Sequence, residues 1–186
     1  HIANEKLLEA PFINQIKLYQ PIGCRDIKTM DKLKDKKIQA YFSGCLTTTI
    51  DFYSWNNKNN IEYFVDTVKT NQKGIYLSQM NSKWKNIEHD KGLFDALDLL
   101  YKYSKSKVVN TSRLHCYLPC LAMGIPVNFI SPNGDPNITS WGSKDRFDGL
   151  ALLKSNPDKF KELRTGLLNE CINKIDLLIS QIKNKK

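Results

Sequence analysis

The chain has 186 residues, of which 41% are hydrophobic, 10% aromatic and 25% charged, and its mean hydropathy is −0.45. That composition supplies enough apolar mass for a folded core and excludes wholesale disorder, and no apolar run approaches the ~20 residues that span a bilayer. Lys plus Arg total 28 against 19 for Asp plus Glu, a formal net charge of +9, but only four of the basic residues are Arg and the lysines are scattered, which argues against a dedicated nucleic-acid surface.

The text opens on His1 in mid-pattern, with nothing that reads as a signal peptide, and is taken as part of a longer chain. Leu7, Leu8, Phe12, Ile16 and Tyr19 fall at helical spacing with Pro11 interrupting, so a helix is expected from about 11 to 19, stopped by Pro21. Ile22-Gly23-Cys24-Arg25 reads as a short buried strand ending at Asp26, which can cap a helix striped by Ile27, Met30 and Leu33. Ile38 to Phe42 is a second strand closed by Ser43-Gly44. Strand, helix, strand is half of an α/β layer.

Residues 51–60, rich in Asn and without a period, read as a loop between two halves. Ile61 to Val68 and Gly74 to Met80 are strand candidates, and the apolar positions from Leu93 to Tyr103 predict a strong helix before the strand 107–110. Thr111 and Ser112 offer N-caps for a helix from Arg113 to Met123 with Pro119 as a defect inside it. Gly124 then ends the helix, and Pro126 to Ile130 is the next strand, completing a βαβ unit. The stretch 131–149 is loop-rich, and a last helix is expected from Pro157 to Ile182.

The five cysteines, Cys24, Cys45, Cys116, Cys120 and Cys171, have no framework spacing and read as free thiols of a core. His115, Cys116 and Cys120 do not make a metal set, because adjacent helical residues point about 100° apart. No metal is expected.

Chemistry is expected where a strand end feeds a helix start. At Asn110-Thr111-Ser112-Arg113-Leu114-His115 free backbone amides and the positive end of a helix dipole meet a guanidinium and an imidazole at the carboxyl edge of the sheet. Such a cluster suits a phosphorylated or carboxylated small molecule; Arg113 paired with a carboxylate and His115 packed in the core is the equal alternative. A second anion-competent turn is Gly23-Cys24-Arg25-Asp26, for which an Arg25–Asp26 surface pair is the plainer reading. Ser43 and Gly44 offer a hydroxyl and an amide, and Arg146 stands in a third basic turn that reads equally as a solvated loop.

PIGCRD (21–26), AYFSGCLTTT (40–49), VVNTSRLHC (108–116), LPCLAMGIPV (118–127) and RFDGL (146–150) together resemble the polysaccharide pyruvyl transferase family. The resemblance implies a GT-B-like architecture, with residues 1–52 closing a first Rossmann-like half and 53–186 forming a second with its C-terminal helix. It implies transfer of pyruvate from phosphoenolpyruvate to a pair of sugar hydroxyls, making a ketal in polysaccharide or cell-surface glycan biosynthesis. The family's Arg-Leu-His maps onto Arg113, Leu114 and His115, and its earlier arginine onto Arg25. His115 and Arg113 are then the catalytic candidates, and Arg25, Thr111, Ser112, Leu114, Ser43, Gly44 and Arg146 the binding candidates.

No cofactor beyond the donor substrate is implied, and the expected partners are phosphoenolpyruvate and a glycan acceptor, with no nucleic acid. The setting implied is cytoplasmic, with peripheral contact to the inner face of the membrane through a lipid-linked acceptor. The alternative is a GT-B glycosyltransferase using a nucleotide sugar, for which Asp135 or Asp145 would hold the ribose; a polyanion-binding module is a third reading of the +9 charge.

Overall fold

A computed structural model of the chain describes residues 9–67, 73–79, 89–130, 138–139, 142–143 and 157–183. It is a mixed α/β structure with parallel sheets flanked by helices, as the sequence pattern predicts. Contacts divide it into two units, residues 1–46 with 145–186, and residues 47–144.

In the first unit, α1 (Ala10–Lys17) precedes β1 (Ile22–Cys24), α2 (Ile27–Asp35) and β2 (Ala40–Phe42). Pro11 sits in the first turn of α1, where its missing N–H costs nothing, so the helix starts there as expected. Asp26 caps α2 as expected, its carboxylate accepting from the Thr29 amide at 2.8 Å. β1 and β2 pair in parallel with Ile22 opposite Ala40 and Cys24 opposite Phe42. Cys24, Leu33 and Ile38 are the buried centre of this layer, packed by Ile13, Ile16, Ile22, Met30 and Ala40. The long α5 (Pro157–Lys183) groups with the same unit by its contacts. Its attachments are long-range: Leu163 lies against Gly44, and Glu170 accepts a hydrogen bond from Tyr41.

After one turn of 3₁₀ helix at Leu46–Thr49, the second unit contains β3 (Glu62–Val65), β4 (Ile75–Leu77), α3 (His89–Ser104), β5 (Val108–Thr111), α4 (Leu114–Ala122) and β6 (Val127–Phe129). Residues 51–60 form no helix or strand, in keeping with the loop expected there. The four strands run parallel in the order β4-β3-β5-β6, so β5, α4 and β6 are the βαβ unit read from the sequence. One sheet face is aromatic and aliphatic: Tyr63 meets Tyr103 of α3 edge-on at 6.5 Å, and Tyr117 of α4 meets Phe129 at 6.0 Å. The other face carries a polar ladder, in which Asn110 Nδ2 donates to Glu62 Oε1 at 2.7 Å and Asn128 Nδ2 donates to Asn110 Oδ1 at 3.1 Å. Asn110 is therefore a buried polar group with both ends satisfied, linking three adjacent strands.

Two sequence expectations need correction, at the end of β3 and in the loop 131–149, while the Pro119 defect lies inside its helix as expected. β3 stops at Val65 and does not run to Val68, because Asp66 turns into the left-handed region at φ 51°. Helix α4 passes through Pro119, which withholds the amide that the His115 carbonyl would otherwise receive. Within the expected loop 131–149, Ile138–Thr139 (β7) and Gly142–Ser143 (β8) pair antiparallel as a small hairpin.

Candidate functional site

The marked residues lie past the carboxyl ends of parallel strands, and each unit supplies one such edge.

In the first unit, Cys24 and Phe42 are register partners, so the segments beginning with Arg25 and Ser43 leave the sheet side by side. The Ser43 amide donates to the Cys24 carbonyl at 2.9 Å and its hydroxyl to the Gly44 carbonyl at 3.2 Å, so the amide and hydroxyl of Ser43 are engaged within the protein. Gly44 holds φ +73°, and a Cβ there would lie 2.7 Å from Leu163 Cδ2. Its lack of a side chain lets α5 approach the turn. Arg25 is half-buried and has no ion-pair partner among the described residues, while the neighbouring Asp26 is spent on the cap of α2. The Arg25–Asp26 pair is not formed.

Beneath this edge the Tyr41 hydroxyl donates to the Glu170 carboxylate at 2.6 Å, and Lys174 approaches the same carboxylate at 3.0 Å. The hydrogen bond to Glu170, ahead of burial, pushes the Tyr41 phenol up to about 12. The same bond, with the Lys174 contact next, holds Glu170 below the usual carboxylate range. Burial pushes the Cys24 thiol up, with Asp26 adding to it, so this cysteine is a core group and not a thiolate nucleophile.

In the second unit, Val65 and Thr111 are register partners, and the chain after each forms the edge. Thr111 is fully buried; its hydroxyl donates to the Val65 carbonyl at 3.2 Å and accepts from the Arg113 amide at 3.0 Å. Ser112 is buried too, and its hydroxyl donates to the Asp66 carbonyl at 2.6 Å. Neither hydroxyl caps α4. The N-cap position falls on Arg113, whose side chain makes no capping bond. The Cys116 and Tyr117 amides turn back to the Arg113 carbonyl at 3.2 and 3.0 Å. Among the described residues, the amides of Leu114 and His115 have no acceptor, and they stand at the positive end of the helix.

Arg113 Nε donates to Asp66 Oδ2 at 2.9 Å, with the two side chains 16% and 8% exposed. The carboxylate partner that the sequence left open is therefore Asp66, on the neighbouring strand end. His115, by contrast, is exposed and not packed in the core. Leu114 is half-buried between them. Cys116 and Cys120 are fully buried on the opposite side of the helix, and burial pushes the Cys120 thiol well up. Among the described residues no group of three His, Cys, Asp or Glu could hold a metal ion.

Thr111, Ser112, Arg113, Leu114 and His115 are thus brought together in one turn, and Arg25, Ser43 and Gly44 at one sheet edge of the first unit. Arg146, Asp135 and Asp145 lie outside the described residues. Asp66 was missed by sequence reasoning; its only signal was an acidic residue closing a hydrophobic strand, EYFV followed by Asp66. What the second edge offers chemically is a set of donors suited to an anion, two amides and a held guanidinium, beside an exposed imidazole.

The model of one protein family, polysaccharide pyruvyl transferase, matches residues 10–134, more than half of the chain. The chain belongs to the polysaccharide pyruvyl transferase family. The matched stretch contains both strand-edge turns, with Arg25, Ser43, Gly44, Asp66, Arg113 and His115, and stops short of Arg146. Membership implies a transferase, and a glycan as the acceptor. No curated protein and no solved structure matches the chain. Among the described residues, no helix of this pyruvyl transferase family member is long and apolar enough to cross a membrane.

Proposed function

We propose that this transferase moves pyruvate from phosphoenolpyruvate onto two hydroxyls of a sugar, and that the turn from Thr111 to His115 receives the donor. The observation that carries the reading is the pairing of a held Arg113 with an exposed His115 across the first turn of α4, at the carboxyl edge of a parallel sheet. Phosphoenolpyruvate carries a phosphate and a carboxylate. Arg113 and the amides of Leu114 and His115 suit these anions, and Arg25, at the edge of the first unit, is a further substrate-binding candidate with no ion-pair partner among the described residues.

In the reaction, His115 as general acid delivers a proton to the methylene carbon, and positive charge develops at the central carbon. One sugar hydroxyl adds there and gives up its proton. The second displaces phosphate, so two carbon–oxygen bonds form, one breaks, and the remaining proton leaves with phosphate. Arg113 stabilises the departing negative charge. The reading extends to a GT-B-like pair of Rossmann-like halves, one built on β1 and β2 and the other on β3 to β6. It also extends to a cytoplasmic setting with contact to the membrane through a lipid-linked acceptor.

The test is phosphate release from phosphoenolpyruvate in the presence of candidate sugar acceptors. Arg113→Ala and His115→Ala should each lower kcat/KM by at least about a hundredfold. Full activity in both variants removes these residues from the mechanism. Protection against melting by a UDP- or GDP-sugar, with none by phosphoenolpyruvate, would instead assign a nucleotide-sugar donor.

A further inference from the structure

Asp66 gathers three segments at the edge of the second unit. Its own backbone is turned to φ 51°, and its amide donates to the Leu77 carbonyl at 3.0 Å, tying the end of β3 to the end of β4. Its Oδ1 accepts from the Ser78 hydroxyl and its Oδ2 from the Gln79 amide at 3.1 Å, so the carboxylate is fixed from the β4 side. Its carbonyl accepts from Ser112, and Oδ2 also accepts from Arg113 Nε at 2.9 Å. A carboxylate locked by two donors on one side cannot follow the arginine, so the arginine follows the carboxylate. The grip is on Nε, along the side of the guanidinium.

We infer that Asp66 is a positioning residue for Arg113, holding the guanidinium in one orientation at the head of α4 so that the donor anion meets a preset cation. The inference rests on the reading of that turn as the donor site. An unanchored arginine side chain carries rotamer entropy that must be lost when it is fixed against an anion. Anchoring it during folding removes that cost from the binding step. The competing role for Asp66 is charge neutralisation alone, and the two roles differ in sign. Removing a mere neutraliser exposes more positive charge and tightens binding of a doubly acidic donor. Removing an anchor weakens it.

The experiment is steady-state kinetics of the full chain with phosphoenolpyruvate as the varied substrate, in Asp66→Asn and Asp66→Ala. Asparagine tolerates the left-handed backbone and keeps one accepting oxygen, so it preserves the fold and loses only the charge assistance. Its KM is expected to rise about three- to tenfold, the worth of one hydrogen bond. Alanine removes this anchor altogether, and its KM should rise on the order of tenfold to a hundredfold. In both variants kcat should change less than KM. A KM that falls or stays at the wild-type value in Asp66→Asn overturns the assignment, and this variant decides the matter if Asp66→Ala does not fold.

If the wild-type chain turns over no phosphoenolpyruvate, the donor reading fails by itself. Proton exchange at Arg113 Nε, followed by NMR, then decides for Asp66. Exchange accelerated at least about fivefold in Asp66→Asn upholds the anchor, and exchange at the wild-type rate overturns it.

Discussion

Two strand edges of this chain begin alike and end differently. Each follows a parallel strand, each places an arginine at the exit, and each leads into a helix. At the first, Arg25 stands beside an acid in sequence, but Asp26 turns away to cap α2 and the cation keeps no ion-pair partner among the described residues. At the second, Arg113 has no acidic neighbour in sequence, yet Asp66, 47 residues earlier, holds it at 2.9 Å. Adjacency along the chain is a poor guide to ion pairing at a helix start, because an acidic residue there has a better use in satisfying the helix amides.

The contrast is broken most directly by removing each arginine in turn. Arg113→Ala leaves a mostly buried carboxylate without its cation, and urea denaturation should show a loss of about 3 kcal/mol along with the loss of turnover. Arg25→Ala should lower turnover while changing stability by less than about 0.5 kcal/mol, since no ion pair is broken. Equal destabilisation by the two substitutions would erase the distinction.

A smaller effect is expected at Gly44, where a methyl group meets both the φ of +73° and the Leu163 side chain at 2.7 Å. Gly44→Ala should cost about 1–3 kcal/mol, and Leu163→Ala in the same chain should return part of that by opening space. No recovery in the double variant would assign the cost to the backbone alone.

The smallest effect concerns the link between Tyr41 and Glu170. Glu170 titrates below its ordinary range, so its share of stability is present above the unfolded carboxylate value and is lost as pH falls through the lowered one. Tyr41 titrates at about 12, so its share is complete below the unfolded phenol value near about 10 and is lost as pH rises through about 12. Tyr41→Phe should flatten both flanks of the stability–pH curve. The change at neutral pH should be under about 1 kcal/mol, because Glu170 is one-third exposed and solvent screens the pair.

Much of this was legible in the residues. The Asp26 cap could be read because donor and acceptor are three residues apart, and β5, α4 and β6 because Gly124 at φ +70° and Pro126 punctuate them. The cluster at Arg113 and His115 followed from a strand end meeting a helix start. Other features were hidden by distance. Asp66 lay inside what looked like a continuing strand, since nothing in EYFVDTV announces a left-handed residue. Ser112 looked like a cap, yet its hydroxyl serves the Asp66 carbonyl, a partner that exists only once β3 and β5 are paired. Tyr41 and Glu170 are 129 residues apart, and no periodicity connects them. The hairpin of β7 and β8 uses strands of two residues each, too short to show an alternation.

The division of the chain into 1–46 with 145–186 on one side and 47–144 on the other sets an order of assembly. The inner unit is continuous and can fold as soon as its last strand leaves the ribosome. The outer one must wait, its opening layer of strands and helices exposed, until the helix carrying Leu163 and Glu170 has been translated. A premature stop before residue 157 would leave that layer without the helix that carries Leu163 and Glu170.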